Sequence, residues 1–109
     1  MTVPLSAPIA QYFAASNKDD AADAVAACFT ADALVHDEAH DHRGRDAIRD
    51  WAAEARRKYR FHAEVTGAEP AADGALVTAH LTGDFPGAPA DLRYRFKLDD
   101  GLIARLEIG

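Results

Sequence analysis

The sequence has little cysteine and few basic side chains, and it contains no long apolar run. The single cysteine, Cys28, excludes an internal disulfide and lies in the apolar segment AVAACF, which predicts a small buried residue rather than a reactive thiol. Twelve Lys and Arg against eighteen Asp and Glu give a net charge of -6, which argues against nucleic acid or an anionic membrane surface as a partner. No apolar run approaches the ~20 residues that cross a bilayer.

The first residues, MTVPLSAPIAQYF, have no basic region and carry two prolines, so they do not predict a signal peptide. We therefore expect a cytoplasmic protein. With 109 residues, 49% hydrophobic and 28% charged, the chain predicts one globular domain over residues 1–109 with one modest core.

Hydrophobic periodicity divides the chain into a helical first half and a strand-rich second half, which is typical of the α+β class. Helices are predicted at 6–17, 20–29 and from just after Gly44 to 57, and a short strand at 33–38. Further strands are predicted at 60–69, 75–84, 90–98 and 102–108, with turns at 72–74 and 99–101.

The segment DLRYRFKL shows the strand period most clearly. Leu92, Tyr94, Phe96 and Leu98 face one way, and the charged residues between them face the other. Because each strand has only one consistently apolar face, we expect a curved antiparallel sheet wrapped around the three helices.

Three histidines and three carboxylates fall within residues 36–42, HDEAHDH. The cluster is consistent with a metal site, a general acid/base site or a solvated loop. On one continuous strand, His36, Glu38, His40 and His42 would share a face and suit zinc. A turn near residues 39–41, required before the next helix, would break that period, so we predict no metal site.

Asp37 is the residue in this cluster that points most clearly to chemistry. Along the strand ALVHDE, Ala33, Val35 and Asp37 share one face, while Leu34, His36 and Glu38 share the other. If Val35 faces the core, Asp37 faces the interior, where burial raises the pKa of a carboxyl and suits it to proton transfer. The alternative is a solvated strand end, or a pair with Arg43 or Arg45.

Several segments together resemble a known superfamily. They are FTADALVHD at 29–37, GRDAI at 44–48, GDFPG at 83–87, RFKL at 95–98 and GLI at 101–103. In this order the chain resembles the nuclear transport factor two-like superfamily, more closely its SnoaL-like branch and more distantly ketosteroid isomerase. The resemblance implies a cone-shaped α+β fold with an interior pocket, and it implies function only weakly, because this fold carries many activities.

The resemblance to ketosteroid isomerase also implies roles for three residues. Asp37 matches the general base and Tyr12 matches the oxyanion-hole tyrosine. The second oxyanion donor of that family is a protonated Asp, and the matching position here is Tyr94, which can also donate a hydrogen bond. That departure argues against steroid chemistry itself.

Four further residues are predicted to contact a ligand. They are Trp51, Phe96, Phe13 and Val35, all on faces predicted to point inward. Core packing is the alternative for the aromatic residues of this set, and also for Tyr12 and Tyr94.

The sequence thus predicts an isomerase- or cyclase-type enzyme that moves a proton on a small apolar carbonyl or polyketide-like substrate and needs no cofactor. The alternative is a non-catalytic module for small-molecule binding or dimerisation. A metal-dependent activity through His36, His40 and His42 is a third hypothesis. In the resembled superfamily the outer sheet face often forms a homodimer, and we expect one here.

Overall fold

The structure is a computed structural model, and it describes residues 5–109. The helices are α1 (Ala7–Ser16), α2 (Ala22–Ala26) and α3 (Arg45–Tyr59). The strands are β1 (Phe29–Asp37), β2 (His40–Arg43), β3 (His62–Ala71), β4 (Gly74–Thr82), β5 (Ala90–Asp99) and β6 (Leu102–Ile108).

The six strands form one curved, unclosed sheet in the order β2-β1-β6-β5-β4-β3. The predicted α+β fold, with helices packed against a curved sheet, is confirmed. The sheet is not purely antiparallel, because β1 and β6 run parallel. The meander β3-β4-β5-β6 reverses direction at each step, and its last strand runs in the same direction as β1 where the two meet.

Two elements near the start of the sheet differ from the sequence-based expectation. Helix α2 has five residues instead of ten, and β1 begins at Phe29 instead of Ala33. Phe29 is fully buried and lies opposite Ile103 of β6, with a register shift between Phe29 and Leu34. Burial of this phenylalanine in the sheet thus overrides the helical pattern of the residues before it.

Strand β2 was not predicted as a strand. It pairs with β1 across a two-residue turn in which Glu38 and Ala39 have φ values of 52° and 64°. Two successive positive φ values are the geometry of a tight hairpin, which usually carries Asn-Gly or Asp-Gly. The sequence here lacks that signal.

The core lies between the inner face of the sheet and helices α1 and α3. The alternation predicted for β5 is confirmed, since Tyr94 and Phe96 are buried in this core. The largest fully buried side chains are Phe29, Ile9, Ile48, Ile103, Leu106, Val25, Val35 and Val77. Each stabilises the fold by roughly 1.5–3 kcal/mol through removal of apolar surface from water. Cys28 is also buried, as predicted, and its thiol lies 3.4 Å from the carbonyl oxygen of Ala24.

The side chain of Asn17, directly after α1, holds the edge strand β3. Its Nδ2 donates to the carbonyl of Ala63, and the amide of Ala63 donates to its Oδ1, both at 2.8 Å. One side chain thus satisfies both backbone groups of a buried residue, as a neighbouring strand would.

Candidate active site

The β1-β2 hairpin decides which side chains of the acidic and histidine-rich segment face inward. Val35 lies opposite His42 and Asp37 opposite His40, so these four share the inner face. His36 lies opposite Asp41 on the outer face, where its Nδ1 is 2.6 Å from Asp41 Oδ1. The three histidines therefore do not converge, and within residues 5–109 no three His, Cys, Asp or Glu side chains are arranged to hold a metal ion.

A cavity of about 280 Å³ opens between α1, α3 and the inner face of the sheet. Its wall includes six aromatic side chains: Tyr12, Trp51, Tyr59, Phe61, Phe85 and Tyr94. Two carboxylates, Asp37 and Glu38, also line it. This combination of an apolar wall with a few polar groups is typical of small-molecule sites.

Asp37 lies at the end of β1, half-buried, with its carboxylate held by helix α3. The indole nitrogen of Trp51 donates to Asp37 Oδ2 at 3.1 Å. Burial raises the pKa of the Asp37 carboxyl above its ordinary value, and the hydrogen bond from Trp51 offsets part of that rise. Arg43 and Arg45, the alternative partners, bind the backbone carbonyls of Asp32 and Phe29 instead.

Tyr12 and Tyr94 line the cavity from α1 and β5, and each is only 3% exposed. Within residues 5–109 neither hydroxyl takes part in a hydrogen bond, and both residues line the cavity. Burial, then the charges of Tyr94 and Asp37, raise the pKa of Tyr12, and burial followed by the Asp37 charge raises the pKa of Tyr94. Both phenols thus stay protonated beside the same carboxylate and are able to donate hydrogen bonds to a bound molecule.

The remaining predicted ligand contacts divide into two groups. Trp51 lines the cavity, whereas Phe13, Phe96 and Val35 lie in the core behind its wall. Phe96 stacks on Tyr94 at 6.2 Å between ring centroids, and Phe13 meets the edge of the same ring at 5.0 Å. These core residues therefore fix the orientation of the wall and do not themselves line it.

Among the lining residues that were not predicted, four have an acidic or aromatic side chain: Glu38, Tyr59, Phe61 and Phe85. Glu38 was expected on the outer face, but its positive φ in the hairpin turn directs it to the cavity mouth, where the Tyr59 hydroxyl donates to its Oε1 at 2.8 Å. A helical spacing of four from Trp51 through Ala55 would have found Tyr59. No comparable signal exists for Phe85, which lies in the loop between β4 and β5.

Comparison with known proteins identifies the family. The SnoaL-like domain profile matches residues 9–106. No curated protein sequence matches the chain. A candidate polyketide cyclase from Sinorhizobium meliloti is 40% identical, with 94% of this chain and 93% of that one covered and a TM-score of 0.88.

Two more distant structures show the same fold. A Catenulispora acidiphila protein with a ketosteroid isomerase-like fold, in complex with trimethylamine, is 21% identical, with a TM-score of 0.84 and coverage of 97% of this chain and 86% of that one. An NTF2-like protein from Cytophaga hutchinsonii is 11% identical, with a TM-score of 0.78 and coverage of 100% and 91%. In the part of this chain that is described, no helix is long and apolar enough to span a membrane. The profile match over nearly the whole chain, together with the 40% identical structure, shows that the chain belongs to the SnoaL-like domain family.

Proposed function

We propose that this chain is an isomerase- or cyclase-type enzyme that transfers a proton on a small apolar carbonyl or polyketide-like substrate without a cofactor. The observation that carries the proposal is the pair of tyrosines, Tyr12 and Tyr94, whose hydroxyls bind no other residue of 5–109 and which line one cavity with the half-buried carboxylate of Asp37. The identity to a candidate polyketide cyclase supports the cyclase-type chemistry.

In the proposed reaction, ionised Asp37 removes a proton from the carbon next to the substrate carbonyl. The C–H bonding pair moves into the carbon–carbon bond, and the carbonyl oxygen becomes the enolate oxygen. Tyr12 and Tyr94 donate hydrogen bonds to that oxygen where its negative charge develops. Protonated Asp37 then returns the proton at the same or another carbon. Alternatively, the enolate carbon attacks a second carbonyl of the same molecule and closes a ring, the π pair of that carbonyl moves to its oxygen, and the resulting alkoxide takes the proton from Asp37.

The position of Asp37 suits the role of base. Trp51 donates to Oδ2 and so holds the carboxylate in one orientation at the cavity wall. A raised pKa brings a carboxylate closer to neutral pH and makes it a stronger base. A cavity of about 280 Å³ limits the substrate to a small molecule.

Deuterium exchange tests this proposal with simple ketones in place of the natural substrate. A panel of cyclic ketones and 1,3-diketones is incubated with the protein in D2O, and loss of the α-proton signals is followed by NMR. We expect catalysed exchange by the wild type and a fall of about 10²- to 10⁴-fold for Asp37→Asn. Asp41→Asn, on the outer face of the same hairpin, is the matched control. Equal exchange by wild type and Asp37→Asn would contradict the assignment.

A non-catalytic module for ligand binding or dimerisation is the second candidate. The outer sheet face favours it, because Arg95 of β5 lies opposite Glu107 of β6, and His80 of β4 bonds Asp91 of β5 at 2.8 Å. This face carries both positive and negative side chains, so it can form ion pairs with the same face of a second copy of the chain. Light scattering after size exclusion would show a homodimer, and Arg95→Glu would dissociate it. A monomeric wild type would contradict dimerisation.

A further inference from the structure

The two acidic side chains of the cavity have no basic counterpart among the residues that line it. Asp37 and Glu38 stand among apolar, aromatic and uncharged side chains, and none of the described lining residues is Lys, Arg or His. The protein's net charge of -6 adds to the same negative potential. A ligand carboxylate or phosphate would meet repulsion in this cavity, and a ligand cation would meet attraction.

Glu38 is held in place at the cavity mouth. Its backbone φ of 52° fixes the turn, and the Tyr59 hydroxyl donates to Oε1, which leaves Oε2 without a partner among the described residues. The ring of Tyr59 in turn meets the edge of Phe85 at 6.1 Å between centroids. A carboxylate and two aromatic rings therefore come together at one end of the cavity.

Aromatic rings attract cations through the negative potential of their faces, and such rings are used to recognise quaternary ammonium groups. The protein contains its own example of this contact, because the ammonium of Lys58 lies 5.1 Å from the centroid of the Tyr59 ring. Lys58 itself is exposed and makes no ion pair within 4.0 Å of Glu38 in residues 5–109. The hydrogen bond to Tyr59, and to a smaller extent the charge of Glu38, raise the pKa of Lys58, so a ligand ammonium would replace Lys58 beside these two residues.

We propose that this cavity selects ligands that carry an alkylammonium group, bound at its mouth by Glu38, Tyr59 and Phe85, on an otherwise apolar body. The apolar body lies against the inner wall, where the hydroxyls of Tyr12 and Tyr94 bind its carbonyl oxygen. This inference rests on the proposed function, because it assigns a substrate class to the same cavity.

Three matched ketones test the charge preference. One carries a trimethylammonium group, the second carries the isosteric neutral tert-butyl group, and the third carries a carboxylate at the same position. Binding to wild-type protein is measured by titration calorimetry. We expect the trimethylammonium ketone to bind about tenfold more tightly than the tert-butyl ketone, as one cation–π contact with a carboxylate allows, and the carboxylate ketone to bind most weakly.

Glu38→Gln is the diagnostic variant, because it keeps the shape of the side chain and removes its charge. It should bring the affinity ratio of the ammonium to the tert-butyl ketone close to one. Glu64→Gln, on exposed β3, removes the same charge away from the cavity and should keep the wild-type ratio. The inference is overturned if the tert-butyl ketone binds as tightly as the ammonium ketone, if the ratio survives Glu38→Gln, or if the ammonium ketone does not bind at millimolar concentration.

Deuterium exchange on the same three ketones separates this inference from the proposed chemistry. A charge preference without Asp37-dependent exchange would overturn the proton-transfer function and leave the ligand class standing. Asp37-dependent exchange without a charge preference would overturn the ligand class and leave the proton-transfer function standing.

Discussion

The indole nitrogen of Trp51 and Oδ2 of Asp37 lie 3.1 Å apart, and this hydrogen bond joins helix α3 to the end of strand β1. It orients the carboxylate and stabilises its ionised form. Trp51 thus acts on the candidate base as a positioning residue, in addition to being part of the cavity wall.

Replacing Trp51 with Phe keeps an aromatic wall and removes the donor. Because the hydrogen bond lowers the pKa of Asp37, its loss should raise that pKa further. The carboxyl carbon of Asp37, followed by NMR in labelled protein, should titrate at higher pH in Trp51→Phe than in wild type, and the acid limb of the exchange rate should move in the same direction. An unchanged titration would show that the hydrogen bond has no influence on the carboxylate.

Burial of Asp37 has a consequence for stability that depends on pH. Its pKa is raised in the folded state, so the folded protein binds this proton more tightly than the unfolded chain does. Stability therefore falls as pH rises from the ordinary Asp value of about 4 through the raised pKa, and the loss is complete above it.

Asp37→Asn removes this loss while its amide oxygen can still accept the Trp51 hydrogen bond. We expect the variant to be more stable than wild type in urea unfolding at pH 8, with the difference shrinking as pH approaches 4. Asp73→Asn, in the exposed turn between β3 and β4, is the matched control. A difference that grows toward low pH would contradict the sign.

Removing the hydroxyl of Tyr12 or Tyr94 should affect catalysis and leave folding nearly unchanged. Neither hydroxyl bonds another described residue, so Tyr12→Phe and Tyr94→Phe should change the free energy of unfolding by less than about 0.5 kcal/mol. Loss of one oxyanion donor should lower the exchange rate about 10- to 10³-fold. Tyr59→Phe differs from these two variants, because it removes an existing hydrogen bond, the one from the Tyr59 hydroxyl to Glu38. A large stability loss in the first two variants would indicate a structural role.

Asn17 should matter for stability although it lies outside the candidate site. Asn17→Ala leaves the amide and carbonyl of buried Ala63 without partners, at a cost of about 2–4 kcal/mol for the two groups together. Asn17→Asp keeps an acceptor for the amide, but its second carboxylate oxygen would lie against the carbonyl oxygen of Ala63 and repel it, so this variant should also be less stable than wild type. Chemical denaturation of the three proteins checks the order, and equal stability of Asn17→Ala and wild type would contradict it.

Gly83 begins the loop that carries Phe85 over the cavity, and its backbone φ of 154° and close neighbours both require glycine. A Cβ at this position would lie 2.8 Å from Tyr59 O and 2.8 Å from Phe61 Cα. We expect Gly83→Ala to destabilise the protein by about 2 kcal/mol or more, because backbone atoms must move. At Gly67 a Cβ would meet nothing within 4 Å, so Gly67→Ala is the matched control. Similar melting temperatures for the two variants would contradict the argument.

The sequence was informative wherever one face of an element is buried. The alternation in β5 and the helical stripe around Trp51 follow directly from burial on one side. The same alternation along β1 predicted the face on which Asp37 lies. These patterns report the face of a side chain, and that is sufficient to predict the layers of the fold.

Periodicity shows which face of a strand or helix a side chain lies on, but it does not show whether that side chain reaches the cavity. Tyr94 and Phe96 share a face of β5, yet only Tyr94 reaches the cavity, because its position depends on what α1 and α3 place opposite each residue. The outward prediction for Glu38 failed for a related reason. A tight turn without its usual Asn-Gly or Asp-Gly signal ends the strand one residue earlier than the alternation implies.

Strand β6 is the only described strand that joins the β1-β2 hairpin to the rest of the sheet. During synthesis the hairpin, and Asp37 with it, leaves the ribosome well before its parallel partner, Leu102–Ile108, because α3 and three strands lie between them in the chain. Pairings between such distant segments form slowly, because closing a long loop costs conformational entropy before any stabilising contact is made. We therefore expect the candidate base to take its place in the sheet late in folding, and until then the backbone groups at the edge of β1 are free to pair with another strand.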